Sequence, residues 1–72
     1  MLSKKIQEAL NDQITEEAYA ADFYLSMASW CDVRGFRGAA GFMYTHSEQE
    51  RMHLMKLFRY VNAADDPRNA NK

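Results

Sequence analysis

The sequence predicts an all-α fold, an antiparallel hairpin of two long helices. Three observations carry that expectation. Apolar and small residues recur at steps of three and four from Lys4 to Cys31, and again from Phe36 to Val61. A break bearing two glycines, Cys31 to Gly38, separates the stretches. A connection this short makes the helices antiparallel neighbours.

The first stripe reads Ile6, Leu10, Gln13, Glu17, Ala20 or Ala21, Tyr24, Met27 or Ala28, and Cys31. Neither glycine nor proline interrupts it, and Glu, Ala, Leu and Met dominate. Gly35 suits the left-handed position that ends a helix. The second stripe is Phe36, Ala39 or Ala40, Met43, His46 or Ser47, Glu50, His53 or Leu54, Leu57 and Val61. The helices are expected near residues 4–32 and 36–62. Gly38 and Gly41 cost about 1 kcal/mol each inside a helix, and without a Cβ they permit a close helix approach. Residues 1–62 form one unit, and 63–72 read as a polar tail or a truncated crossover linker. Pro67 closes any continuation.

Composition bounds the function. The chain has 72 residues, 47% hydrophobic and 26% charged, with a net charge of -1. It is too apolar for a disordered chain and lacks the basic balance of a nucleic-acid binder. A single cysteine excludes an internal disulfide. No run of about 18 apolar residues exists to span a membrane. The N-terminus lacks the apolar core of a signal peptide, so the cytoplasm is the expected compartment. No P-loop, dinucleotide fingerprint or serine-type triad is present.

Size sets a further requirement. A chain this short buries roughly 60% of its unfolded surface, against an ordering cost of roughly 100 kcal/mol. A hairpin is one layer and cannot enclose its own apolar face. Phe23, Trp30, Met52, Met55, Phe58 and Tyr60 lie off the central stripes. The chain is therefore expected to self-associate, at least as a dimer, with another chain completing a four-helix bundle.

Three polar residues stand within the apolar stripes. Glu17 is on the first helix, and Glu50 and His53 are on the second, spaced i, i+3 on one face. Measured from a turn centred near Arg34 and Gly35, Glu17 lies about 26 Å along its helix, Glu50 about 23 Å and His53 about 28 Å. Three ligand-type side chains thus converge at one level. A carboxylate in an apolar layer is costly unless it is paired or holds a metal. A Glu-x-x-His unit opposite a Glu is half of a four-helix dinuclear iron or manganese site. A surface pair of Glu and His is the competing reading, and the spacing leaves both open.

Other residues have structural readings. His46 stands two turns before His53 with no carboxylate at its level on the first helix, so it is structural or exposed. Cys31 is a small buried hydrophobe near the turn. For Tyr24, a hydrogen bond to a metal-bound carboxylate and simple core packing are equally open.

These residues carry a family resemblance. From Met1 to about Tyr60 the chain resembles the N-terminal half of a bacterial non-haem ferritin. The stretches concerned are Leu10–Ile14 leading to Glu17, Tyr24–Cys31, Phe36–Phe42, Glu50–His53 and Leu57–Tyr60. The resemblance implies a ferritin-like bundle, hollow cages, Fe(II) oxidation and storage of ferric mineral. It implies that Glu17 is a first-helix iron ligand, Glu50 the bridging carboxylate, His53 the imidazole ligand and Tyr24 the tyrosine beside the centre. Iron would be the metal, two ions per site, with oxygen or peroxide as oxidant. Three departures stand out. Gln49 replaces a carboxylate of a third iron site, with Glu48 adjacent. Arg51 stands where haem-binding bacterioferritins carry an axial methionine, and Met52 is rotated from that place by about 100°, so no haem is expected. The second half of the family's chain has no counterpart. Either the sequence is a fragment of a full ferritin, or two hairpins pair about a two-fold axis and bring together four Glu and two His. That pairing resembles the short encapsulin-associated ferritin-like proteins in architecture alone. The alternative function is a non-catalytic helical assembly protein or an inactive ferritin fragment.

Overall fold

The computed structural model describes residues 2–66 and residue 68. Helix α1 spans Lys4–Val33 and helix α2 spans Arg37–Asp65. Ser3 caps α1: its Oγ accepts from the Ile6 amide at 3.2 Å. This satisfies one of the amides that a helix start leaves without an intrahelical partner.

The turn between the helices is built on one glycine. Gly35 has φ +81°, the left-handed conformation that disfavours any Cβ. Its amide donates to the Asp32 carbonyl at 3.1 Å, and the Phe36 amide donates to the Cys31 carbonyl at 2.9 Å. This pair of bonds is the Schellman termination of α1. Phe36 then starts α2, its carbonyl accepting from Ala40 at 2.8 Å. The Arg34 guanidinium lies 3.9 Å from the centre of the Trp30 ring, and that ring stacks on Phe36. The predicted hairpin is therefore the observed fold.

Helix α2 continues to Asp65, past the Asn62 boundary read from the polar composition. Gln7 Nε2 donates to both Asp65 carboxylate oxygens, at 3.1 and 3.2 Å, and so ties the open end of the hairpin. Asp66 ends α2 and is ion-paired to Arg68. The expectations for Met1, for the helix-closing Pro67 and for the tail at 69–72 lie outside the described residues.

The register is fixed by polar struts and small residues. Ser47 Oγ donates to the Ala21 carbonyl at 2.8 Å, and the Tyr44 hydroxyl donates to Asp32 Oδ2 at 3.2 Å. Burial holds the Tyr44 hydroxyl above the usual phenol pKa, and its bond to Asp32 adds to the effect. The buried hydrophobic residues are Ala21, Ala28, Cys31 and Ala40. Ala28 is 0% exposed, fully enclosed within the hairpin. Cys31 is a free thiol, buried near the turn as expected. Gly38 and Gly41 do not serve the close approach expected of them. A Cβ on either would meet open space within the chain.

The layer is thin. Its extents are 54 × 20 × 11 Å, the depth of about one helix. The radius of gyration is 16.3 Å, where a compact domain of this length has about 11 Å. Phe23, Trp30, Phe42, Met52, Phe58 and Tyr60 are all exposed. The hairpin therefore has the shape of half a bundle. Among the described residues, no helix is long and apolar enough to cross a membrane.

Candidate metal centre

The hairpin brings Glu17, Glu50 and His53 to one level. Each offers a ligand atom, and these atoms lie within 4.8 Å of one another. The cause is the register set at the turn and by the Ser47 strut one turn away. Glu17 projects from α1, and the i, i+3 spacing puts Glu50 and His53 side by side on α2.

The environment of Glu17 is uneven. Its Oε1 accepts from Gln13 Nε2 at 2.9 Å. Its Oε2 is enclosed and makes no hydrogen bond of normal geometry. His53 Nδ1 lies 3.9 Å from that oxygen. The side chain of Glu17 is 17% exposed and that of His53 is 60% exposed. A shielded carboxylate oxygen without a donor is costly when nothing binds it. A metal ion satisfies it, so the residues present fit one. Two carboxylates and one imidazole suit iron or manganese.

The two carboxyl groups drive each other's protonation apart. Glu50 acts mainly as a hydrogen-bonding neighbour that holds Glu17 below the usual carboxylate range. Burial opposes this, while Gln13 and the His53 charge support it. The same pairing, together with burial and the Glu17 charge, raises Glu50. His53 and His46 pull Glu50 the other way. The lowered Glu17 and the raised Glu50 mark two carboxyl groups that resist ionising together, and a metal ion between them would relieve that repulsion.

The contacts of Tyr24 are aromatic. Its ring stacks on His46 at 5.2 Å and meets Phe23 edge-on at 6.0 Å. No hydrogen bond of its hydroxyl occurs among the described residues. His46 is half-buried, stacked on Tyr24 and 4.2 Å from the Phe42 ring centre. Two contributors escaped the sequence reading. Gln13 precedes Glu17 by four residues, and His46 precedes Glu50 by four. That spacing places each beside its carboxylate and was the available signal.

A helical hairpin with a converging Glu, Glu and His carries the donor types of the carboxylate-rich helical metal sites. The chain belongs to the ferritin-like domain family, whose model matches residues 7–71. It is 46% identical over 65 residues to a bacterial non-heme ferritin of Campylobacter jejuni, covering 90% of this chain and 39% of that protein. A probable bacterial non-heme ferritin-like protein of Haemophilus influenzae is 45% identical over 62 residues, covering 86% and 38%. A bacterial non-heme ferritin of Staphylococcus aureus is 44% identical over 62 residues, covering 86% and 37%. The chain thus spans under two-fifths of the length of these relatives. No solved structure gives a significant match.

Proposed function

We propose that the chain binds iron and oxidises Fe(II) at a carboxylate-bridged diiron centre assembled between two hairpins. Where the assembly closes into a cage, it stores the product. The observation that carries this reading is the convergence of Glu17, Glu50 and His53 around an oxygen that lacks a donor. The family supports iron as the metal, because the named relatives are non-heme ferritins.

One hairpin supplies two carboxylates and one imidazole. Two hairpins face to face supply four Glu and two His, the ligand set of a symmetric dinuclear site. In that arrangement Glu50 bridges, while Glu17 and His53 of each chain hold an ion. Fe(II) is the substrate. Two Fe(II) give up two electrons, which reduce oxygen to hydrogen peroxide with two protons, or hydrogen peroxide to two waters. The chain's own part is spacing, charge and access. Gln13 fixes Glu17, and Fe(II) would balance the charge that Glu17 and Glu50 bring together. His46, one turn from Glu50 on α2, stacks on Tyr24. Haem has no place in this scheme. The cytoplasm, where Fe(II) is available, is the compartment that suits the activity.

A second reading is supported by the length relation to the relatives. The hairpin is then a non-catalytic assembly module or an inactive ferritin fragment. Aerobic addition of Fe(II) separates the two. The diiron reading expects rapid, saturable oxidation that disappears in Glu50→Ala and in His53→Ala. Oxidation no faster than the buffer control selects the structural module.

A further inference from the structure

The outer edges of the hairpin carry charges that form no ion pair among the described residues. On α1, Glu8, Asp12 and Glu16 are exposed and spaced i, i+4, i+8. They occupy one row. Leu10 and Ile14, half-buried, flank Asp12 at two residues, so the row lies about 200° round the helix from α2. Exposed Tyr19 and Phe23 extend it towards the turn and stack on each other at 6.4 Å. On α2, a groove of about 440 Å³ is lined by Glu48, Arg51, Met52, Met55, Lys56 and Arg59. Arg51, Met55 and Arg59 repeat the same i, i+4, i+8 row, with Arg51 at its inner margin, where it also lines a groove with Ala18, Asp22 and Leu25 of α1. Among the described residues, none of Glu8, Asp12, Glu16, Arg51, Lys56 or Arg59 takes part in an ion pair.

The two edges match in charge, in apolar content and in register. Glu8 lies nine residues before Glu17, and Arg59 nine after Glu50. Glu16 lies one before Glu17, and Arg51 one after Glu50. The register that sets Glu17 opposite Glu50 within a chain therefore sets Glu8 level with Arg59 and Glu16 level with Arg51. Asp12 falls level with Met55 and beside Lys56. Tyr19 falls level with Glu48, to which its hydroxyl can donate. Lys5 falls level with Asn62, clear of the arginines. Copies laid side by side in one orientation, with no slide along the axis, place α2 antiparallel to the next copy's α1.

We propose that the α2 edge docks the α1 edge of a second copy of this chain. The contact is heterologous, an acidic and aromatic edge against a basic and methionine-rich groove. Such a contact propagates into rings or filaments rather than stopping at a pair. It uses the edges and leaves the level of Glu17, Glu50 and His53 free. It therefore adds to the two-hairpin bundle and fails or survives separately from the diiron reading.

Sedimentation velocity of the full chain at low and high salt tests it. The wild type should show species heavier than a two-hairpin bundle, lost as salt rises. The triple variant Arg51→Glu, Lys56→Glu, Arg59→Glu should lose those species, and so should Glu8→Lys, Asp12→Lys, Glu16→Lys. Both should keep whatever metal stoichiometry the wild type has. Combining the six substitutions swaps the edges, returns the net charge to -1 and should restore the heavy species. If circular dichroism shows the combined chain to be non-helical, an equimolar mixture of the two triple variants must restore them instead. The proposal is overturned if the wild type stops at the two-hairpin mass. It is equally overturned if either triple variant keeps the wild-type mass, or if a helical swapped chain fails to recover it.

Discussion

Ala28 is 0% exposed, fully enclosed within the two-helix layer. Leucine at this position has no room without pushing the helices apart. Overpacking a filled contact costs about 1–3 kcal/mol. The melting entropy of a 72-residue chain is about 150 cal/mol/K, at about 2.1 cal/mol/K per residue. The expected fall in melting temperature for Ala28→Leu is then about 7–20 °C. Ala9→Leu is the control: Ala9 is exposed on the same helix, and a surface change of this kind stays within about 0.5 kcal/mol. The assay is thermal unfolding followed by circular dichroism, with both variants at one chain concentration because assembly contributes to stability. Equal melting temperatures for Ala28→Leu and wild type would refute the account of the hairpin as a small-residue contact.

Two further outcomes follow from particular groups. For the metal-free protein, Glu50 is raised above 4.5 and Glu17 lowered below it. The Glu50 contribution to stability is full below pH 4.5 and lost as pH rises through its raised folded value; the Glu17 contribution is present above pH 4.5 and lost as pH falls through its lowered value. Stability from the pair therefore peaks near pH 4.5, and Glu50→Gln should flatten the fall on the alkaline side in thermal melts; an unchanged fall removes the carboxyl pair as its cause. Gly38→Ala should stabilise α2 by up to about 1 kcal/mol in denaturant unfolding, since a Cβ there meets open space. A loss of stability would mean that another chain packs against Gly38.

The helices were legible because their periodicity is long and unbroken, and because Gly35 marks the one residue that must turn left-handed. The level of Glu17 against Glu50 and His53 followed from helix rise alone, since a short turn leaves little freedom of slide. Three features escaped for physical reasons. The end of α2 was placed early because Asp65 reads as a tail residue, and its partner Gln7 is distant in sequence. Gly38 and Gly41 were expected at a close approach, whereas the chain uses Ala21, Ala28 and Ala40 for that purpose. Periodicity identifies a stripe without saying which small residue within it meets the neighbour. The stacking of His46 on Tyr24 depends on ring orientation, which spacing does not fix.

The central claim is that Glu17, Glu50 and His53 of paired hairpins hold iron. Anaerobic Fe(II) titration of the full chain, followed by anomalous scattering from the loaded crystal, tests it most directly. The account predicts saturation at about one ion per chain and two adjacent metal peaks between facing hairpins, as in a two-metal site. Each peak should be bounded by Glu17, Glu50 and His53, and the peaks should be absent in Glu50→Ala. An ordered crystal with no metal at these residues, or with the three side chains facing solvent away from any second hairpin, would contradict it.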